Sequence, residues 1–311
     1  MSISAYIKVI GRGKDGARPL TAEQAHDLMS QVLTGQVTDL EVGAFCLAMR
    51  IKGEEVNELD GFVRATLAHC LPIPSAPSGV VVLPSYNGAR KLPNLTPLLA
   101  LQLAQHGVAV LVHGPRHDPT RVTTAQVFDA LGLPTATSTQ DVQDAWQAGR
   151  PAYMDIATLC PPLAKLLDVR WTIGLRNPGH TVAKLLDPIV AAEGSRTMRV
   201  VNHTHPEYAI SLNAYLKHAQ ANALLMRGTE GEPVADPRRQ PRFDIFINGL
   251  RDEGLSRAPI DGVLTELPEL PNGFDADTTA RYIGSVMSGQ QPLPAAIAAQ
   301  VSCLRQALKQ A

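Results

Sequence analysis

Cysteine and aromatic residues are scarce in this chain, and long apolar runs are missing. Only four cysteines occur in 311 residues, Cys46, Cys70, Cys160 and Cys303, and no two form a Cys-x-x-Cys pair. That spacing speaks against a structural zinc site and fits reduced, mostly buried thiols in a cytoplasmic protein. No stretch approaches the roughly 18 apolar residues that span a bilayer. The first residues, "MSISAYIKVIGRGKDG", hold no apolar core of signal-peptide length. No membrane partner is expected. Aromatic residues make up 5% of the chain, with no stripe in which they interleave with basic residues. An extended base-stacking surface is therefore poorly supplied.

Net charge is also nearly absent, at −1, but its distribution is uneven. Residues 1–18 hold Lys8, Arg12, Lys14 and Arg18 against Asp15. Residues 84–121 hold Arg90, Lys91, Arg116 and Arg121 against Asp118. Residues 165–184 hold Lys165, Arg170, Arg176 and Lys184 against Asp168. Each segment is +3, so the three sum to +9 and the remainder of the chain is −10. A basic face on a neutral protein follows if these segments converge; otherwise the charges form a mixed solvated surface.

The hydrophobic share of 45% and charged share of 18% suit a globular chain of one or two domains. Thr21 with Gln24, and Thr38 with Glu41, are capping-box starts for two helices. A further helix follows the turn at Gly53, so the chain reads as helical to about Leu71. "LPIPSAPSG" is a connector and a candidate domain boundary. Beyond it, "VVVL" and "VAVLV" are short apolar runs of the kind buried on both faces of a parallel sheet. A helix is expected over Asn94–Gln105, with Pro97 in its first turn, and another over Val122–Leu131. Further strands are expected near 200–201, 223–226 and 243–247. Residues 160–187 read as helical, 228–242 as a long polar loop, and the tail from Asp277 as helical.

Between the first two strands a loop stands where nucleotide-handling proteins often keep glycines. It reads Pro84, Ser85, Tyr86, Asn87, Gly88, followed by Arg90 and Lys91. Proline offers no N–H, and Tyr86 and Asn87 add side chains where a backbone should approach a phosphate closely.

With "LTGQVTDLEVGAFCLAMRIKGEEVNELDGF" ahead of this β/α region, the chain resembles the anthranilate phosphoribosyltransferase and pyrimidine-nucleoside phosphorylase superfamily, glycosyltransferase family 3. The resemblance implies an α/β fold with a small N-terminal helical domain and a larger α/β domain around a mostly parallel central sheet. It implies a helical, dimerising domain at 1–72 with 160–187, and an α/β domain at 73–159 with 188–311. The enzymes' Gly-Thr-Gly-Gly-Asp diphosphate loop is replaced here by Pro84–Gly88. Asn94 and Thr96 match their Asn-x-Ser-Thr, and His113 and Gly114 match part of Lys-His-Gly-Asn. Their Asp-Glu magnesium pair is replaced by Pro233 and Val234, with Glu230, Glu232 and Asp236 the nearest carboxylates. Arg170 and Arg176 match two arginines of the enzymes.

"IGRGKDGARPL", "PSYNGARKLPNLTPLLA", "GLRNPGHTVAKLL" and "LLMRGTEGEP" are similar to a YbiB-like branch. That resemblance implies a homodimer that binds DNA or RNA without sequence preference, with no cofactor, no metal and no catalytic residues. Lys8, Arg12, Lys14, Arg90, Lys91, Arg121, Arg170, Arg176 and Lys184 are then the expected phosphate contacts, Lys8, Arg12 and Lys14 from a mobile N-terminal arm. Tyr86, Asn87, Asn94, Thr96 and His113 would be a vestigial substrate site. Plainer alternatives stand beside these: a solvated loop for Arg90 and Lys91, and pairing with Asp168 for Arg170. Tyr86 and Trp171 are the candidates for base stacking, with core packing the expectation for Trp171. His113 and His180 are expected as hydrogen-bonded structural histidines. Two other functions remain: a divergent phosphoribosyltransferase or other glycosyltransferase acting on an aromatic or nucleobase substrate, and a phosphate-sensing scaffold.

Overall fold

The computed structural model describes residues 2–190, 194–260 and 268–311, the side chain of Lys14 excepted. The chain divides into two compact units, Met1–Leu71 with Ile156–Pro188, and Pro72–Asp155 with Ile189–Ala311.

The first unit is helical. Its helices Ala22–Leu33 and Asp39–Lys52 both begin with complete capping boxes, Thr21 with Gln24 and Thr38 with Glu41. Val56–Leu67 packs along Ala22–Leu33, burying Leu59, Phe62 and Val63. Pro161–Ile173 and Pro178–Ala183 complete the unit. The N-terminal segment is not a mobile arm. Ser4–Ile10 and Gly13–Gly16 are helical, because Ile3 and Ile10, 0% and 1% exposed, recur at a spacing that puts both on one helix face.

The second unit holds β1 (Ile73–Pro74), β2 (Val80–Pro84), β3 (Ala109–Gly114), β4 (Thr135–Ala136), β5 (Ala152–Asp155), β6 (Ile189–Val190), β7 (Thr197–His203), β8 (Ala223–Arg227), β9 (Phe243–Ile247) and β10 (Leu250–Arg257). β1 and β6 form a small parallel pair. The other eight make one sheet in the order β10-β9-β8-β7-β2-β3-β5-β4. All pairs from β8 to β4 are parallel, and β9 and β10 run antiparallel at one edge. β2 and β3 are buried along their whole length, as strands covered by helices on both faces must be. Thr96–Gln105 and Ala295–Leu308 supply much of that cover through Leu98, Leu99, Leu103, Ile297, Val301 and Leu304.

Strand order reverses beside β2: β3 and β5 lie to one side of it, and β7 and β8 to the other. In open parallel sheets the crevice at the carboxyl ends of such neighbours is where ligands are held. The loop after β2, the end of β7 and the end of β8 all emerge there. Two helices start later than their apolar patterns suggest. Asn94 stays outside its helix because its side-chain oxygen accepts from the Thr96 N–H at 3.1 Å. Val122 stays outside the helix Thr124–Ala130 because it is bridged to Ala89, leaving Thr123 as the cap. The 228–242 segment is a loop whose first half is buried, Thr229 bridging Glu232 with Glu232, Val234 and Ala235 in the interior, while Arg238, Arg239 and Arg242 are exposed.

Candidate functional site

The loop after β2 aims its backbone N–H groups inward, as an anion-binding loop does. Two carboxylates of the same chain meet them. Glu232 Oε1 accepts from the N–H groups of Asn87 and Gly88, each at 2.7 Å. Glu230 Oε2 accepts from the N–H groups of Arg90, Lys91 and Leu92 at 2.9, 3.0 and 3.2 Å.

The second oxygen of Glu232 is held by hydroxyls. Ser85 Oγ donates to Oε2, and Thr96 Oγ1 donates to it at 3.3 Å. Asn94 Nδ2 donates to Thr124 Oγ1 at 2.8 Å, and Thr124 Oγ1 lies 2.6 Å from Ser85 Oγ. Thr124 Oγ1 also reaches Glu232 Oε2, at 3.3 Å. A hydroxyl has one proton to give, so with Ser85 donating to the glutamate the Thr124 proton goes either to Ser85 Oγ or to Glu232. Glu232 is 2% exposed. The cavity left between this loop and Pro115, Asp118, Thr123 and Thr124 is only about 10 Å³, close to the minimum for one water.

The turn that delivers the carboxylates is specialised. Glu230 and Gly231 have φ of +53° and +88°, the left-handed region that side chains other than glycine seldom adopt. At Gly231 a Cβ would lie 1.7 Å from Asn87 Nδ2, so only glycine allows Asn87 to donate to the Glu230 carbonyl at 2.8 Å. Across β2, a Cβ on Gly114 would lie 1.8 Å from the Ser85 carbonyl oxygen. Backbone-to-backbone contact at that point needs glycine.

Tyr86 is buried and its hydroxyl meets His113 Nδ1 at 2.7 Å, with the rings edge to face. Tyr86 is therefore not available for base stacking. Thus Tyr86, Asn87, Asn94, Thr96 and His113 all lie on or against one loop, joined by hydrogen bonds to the elements around it. Arg90 and Lys91 turn outward from that loop and are exposed, and Arg121 packs its Cβ over Gly88. Asp236, a carboxylate close in sequence to the enzymes' metal positions, is bound by both ends of the Arg238 fork at 3.0 and 2.8 Å. Burial would raise its pKa, yet the hydrogen bonds and charge of Arg238 hold it below the usual carboxylate range. Among the described residues, no three His, Cys, Asp or Glu side chains gather as a metal site requires.

The first unit gathers a second group of the expected cations. Arg176, Arg170 and Lys184 all act on the imidazole of His180, whose pKa falls to about 3 through burial first and then these charges. His180 therefore stays neutral and serves the cap of its helix beside Asn177. Trp171 departs from expectation: it is 48% exposed, not in the core, and the Arg170 guanidinium lies 4.1 Å from its ring centroid. Arginine stacks on an indole in this way through cation–π attraction. Lys8 and Arg12 are exposed on the N-terminal helices, where Arg12 Nε donates to the Lys8 carbonyl at 2.9 Å. The side chain of Lys14 lies outside the described residues. Cys160 is buried near Cys70, both thiols facing the Thr66 carbonyl. Sequence reasoning missed the acceptor role of Glu230 and Glu232. The signal was present in "GTEGEP", two carboxylates separated by one glycine that permits a tight turn.

Residues 4–70 match the family model described as "Glycosyl transferase family, helical bundle domain". The protein YbiB of Escherichia coli K12 is 39% identical over 307 residues, covering 97% of this chain and 93% of that one. Anthranilate phosphoribosyltransferase of Symbiobacterium thermophilum is 29% identical, covering 93% of this chain and 82% of the enzyme. Among solved structures, anthranilate phosphoribosyltransferase from Thermus thermophilus superposes with a TM-score of 0.72 at 21% identity, over 97% of this chain and 94% of the other. The Saccharomyces cerevisiae enzyme in complex with PRPP and Mg gives 0.72 at 14% identity, over 98% and 88%. The architecture is thus the anthranilate phosphoribosyltransferase-like fold, and on its match along nearly the full length of both chains this protein belongs to the YbiB family.

Proposed function

We propose that this protein binds nucleic acid without sequence preference, as a homodimer, and does not transfer phosphoribosyl groups. The observation that carries the reading is the pair of carboxylates at the loop after β2. Backbone N–H groups that would receive a diphosphate are already donating to Glu230 and Glu232. Magnesium does not fit either. Hard oxygen ligands are needed to hold it on a diphosphate, and the corresponding positions are buried Pro233 and Val234.

What remains at the surface is positive charge. The side chains of Arg90, Lys91 and Arg121 make no ion pair among the described residues, and Arg90 and Lys91 are exposed. Such side chains suit phosphate contact, with affinity from counterion release and little reading of bases. A homodimer fits the helix Asp39–Lys52, where Leu40, Leu47 and Ile51 stay 84%, 49% and 55% exposed. Their spacing places them along one face.

The test is fluorescence anisotropy of random-sequence oligonucleotides over a salt series, run beside an assay for phosphoribosyl transfer to anthranilate. Expected are binding that falls steeply with salt and no turnover. Absence of binding at low salt refutes the reading. Turnover would favour a divergent phosphoribosyltransferase, the reading supported by Asn94, Thr96 and His113 and by the enzyme relatives. That enzyme would need Glu232 to leave the loop.

A further inference from the structure

The ends of β7 and β8, the loop after β2 and residues 236–241 border an open pocket of about 470 Å³. Pockets of this size ordinarily take a small ligand or a group of a larger one. Its walls carry Lys91, Arg227, Arg238 and Arg239 against Glu230 and Asp236, which leaves two positive charges.

Both carboxylates are committed to the walls themselves. Asp236 holds Arg238 by two hydrogen bonds and lies 3.8 Å from Arg239 Nε. Glu230 Oε2 accepts from three backbone N–H groups, and the residue holds a left-handed conformation. Asp236 fixes the side chains of Arg238 and Arg239, and Glu230 fixes the backbone that carries Lys91. The side chains of Lys91 and Arg227 make no ion pair among the described residues, and Arg227 is exposed at the end of β8. The arrangement is a preorganised basic pocket: two arginines steadied from behind, and two cations left for an incoming anion.

We propose that this pocket is a phosphate-binding subsite that takes a phosphate ester, with Arg227 and Lys91 as direct contacts and Arg238 and Arg239 completing the field. It sits at the carboxyl ends of parallel strands beside the reversal of strand order, where this architecture presents ligands. The pocket is distinct from the space under the loop that Glu232 fills. The source of the phosphate rests on the nucleic-acid reading: two successive diesters of a strand match its double positive charge. A free nucleotide offers the same chemistry.

The experiment uses the full chain with Arg227→Ala, Arg239→Ala and, as a charge-matched control away from the pocket on the helix Ala276–Met287, Arg281→Ala. A labelled random-sequence 20-mer and AMP are the two probes, and thermal melting checks that each variant is folded. For the 20-mer, Arg227→Ala should weaken binding roughly 5- to 20-fold and lower the salt slope by about one. Arg239→Ala should act in the same direction and Arg281→Ala should not. If wild type binds the 20-mer and both pocket variants match it in affinity and slope, the subsite is overturned while nucleic-acid binding stands. If wild type does not bind the 20-mer, the nucleic-acid reading fails. AMP binding lost in Arg227→Ala then upholds the subsite with a nucleotide as its source, and no AMP binding overturns it as well. Because two independent arginines are removed in turn, an unfolded variant at one position leaves the other to decide.

Discussion

A carboxylate and a phosphate oxygen offer a backbone N–H the same kind of acceptor, and Glu232 uses that equivalence. Its contacts reach 145 residues back along the chain to Asn87. The oddity of Pro84–Gly88 is visible in the sequence, but its partner is not, because only the sheet order brings the ends of β2 and β8 near each other. Glu232→Ala should strip the acceptor from two N–H groups and from the hydroxyls of Ser85, Thr96 and Thr124. Buried donors without partners destabilise by about 1–3 kcal/mol each where water cannot replace the acceptor. A net loss of roughly 2–4 kcal/mol is expected in urea unfolding. Inorganic phosphate at millimolar concentration should recover part of that loss in the variant and leave wild type unchanged, since binding only the folded state raises stability. Equal response of the two proteins to phosphate would show that Glu232 does not stand in for an anion. Trp171 escapes the sequence for a different reason. Its helix, Pro161–Ile173, buries only Leu163, Leu166 and Leu167, so a neighbouring indole falls on the outer face, where Arg170 covers it.

Helices and strands are the most legible level. Capping boxes at Thr21 and Thr38 mark helix starts to the residue because the chemistry is local: one hydroxyl, one N–H, three positions apart. Continuous apolar runs mark β2 and β3. Starts set by tertiary contacts, such as Val122 drawn into a bridge with Ala89, leave no local signal. The short helix Pro178–Ala183 carries its own pH dependence through His180. Its folded pKa of about 3 lies below the ordinary value near 6.5, so the unfolded chain takes up a proton first as pH falls. Stability from this group is complete above about pH 6.5 and is lost progressively down to about pH 3. Between pH 7.5 and pH 5 the loss should be about 2 kcal/mol. His180→Gln, which cannot titrate, should show a shallower fall over that window than wild type in urea unfolding. Matching slopes would mean that His180 is already exposed to solvent and free to protonate.

For the molecule as a whole, family membership fixes the fold, while charge pattern and apolar exposure bear on assembly. The helix Asp39–Lys52 is capped, packed through Phe45, Cys46, Ala48 and Met49, and still leaves Leu40, Leu47 and Ile51 in solvent. Large apolar side chains grouped on one face are what a second copy would cover, each worth about 1.5–3 kcal/mol when fully buried. Leu47→Glu with Ile51→Glu should therefore turn a dimer into a monomer in light scattering after size exclusion, with the far-ultraviolet spectrum unchanged. The same double variant should weaken oligonucleotide binding more for a 40-mer than for a 10-mer. On the proposed reading a long strand would engage both copies, and losing the link between them would remove the effective-concentration gain, which a short strand never had. A wild type that is already monomeric at micromolar concentration would remove the homodimer from the proposal. An equal loss for both lengths would place the damage in the single copy's own binding surface.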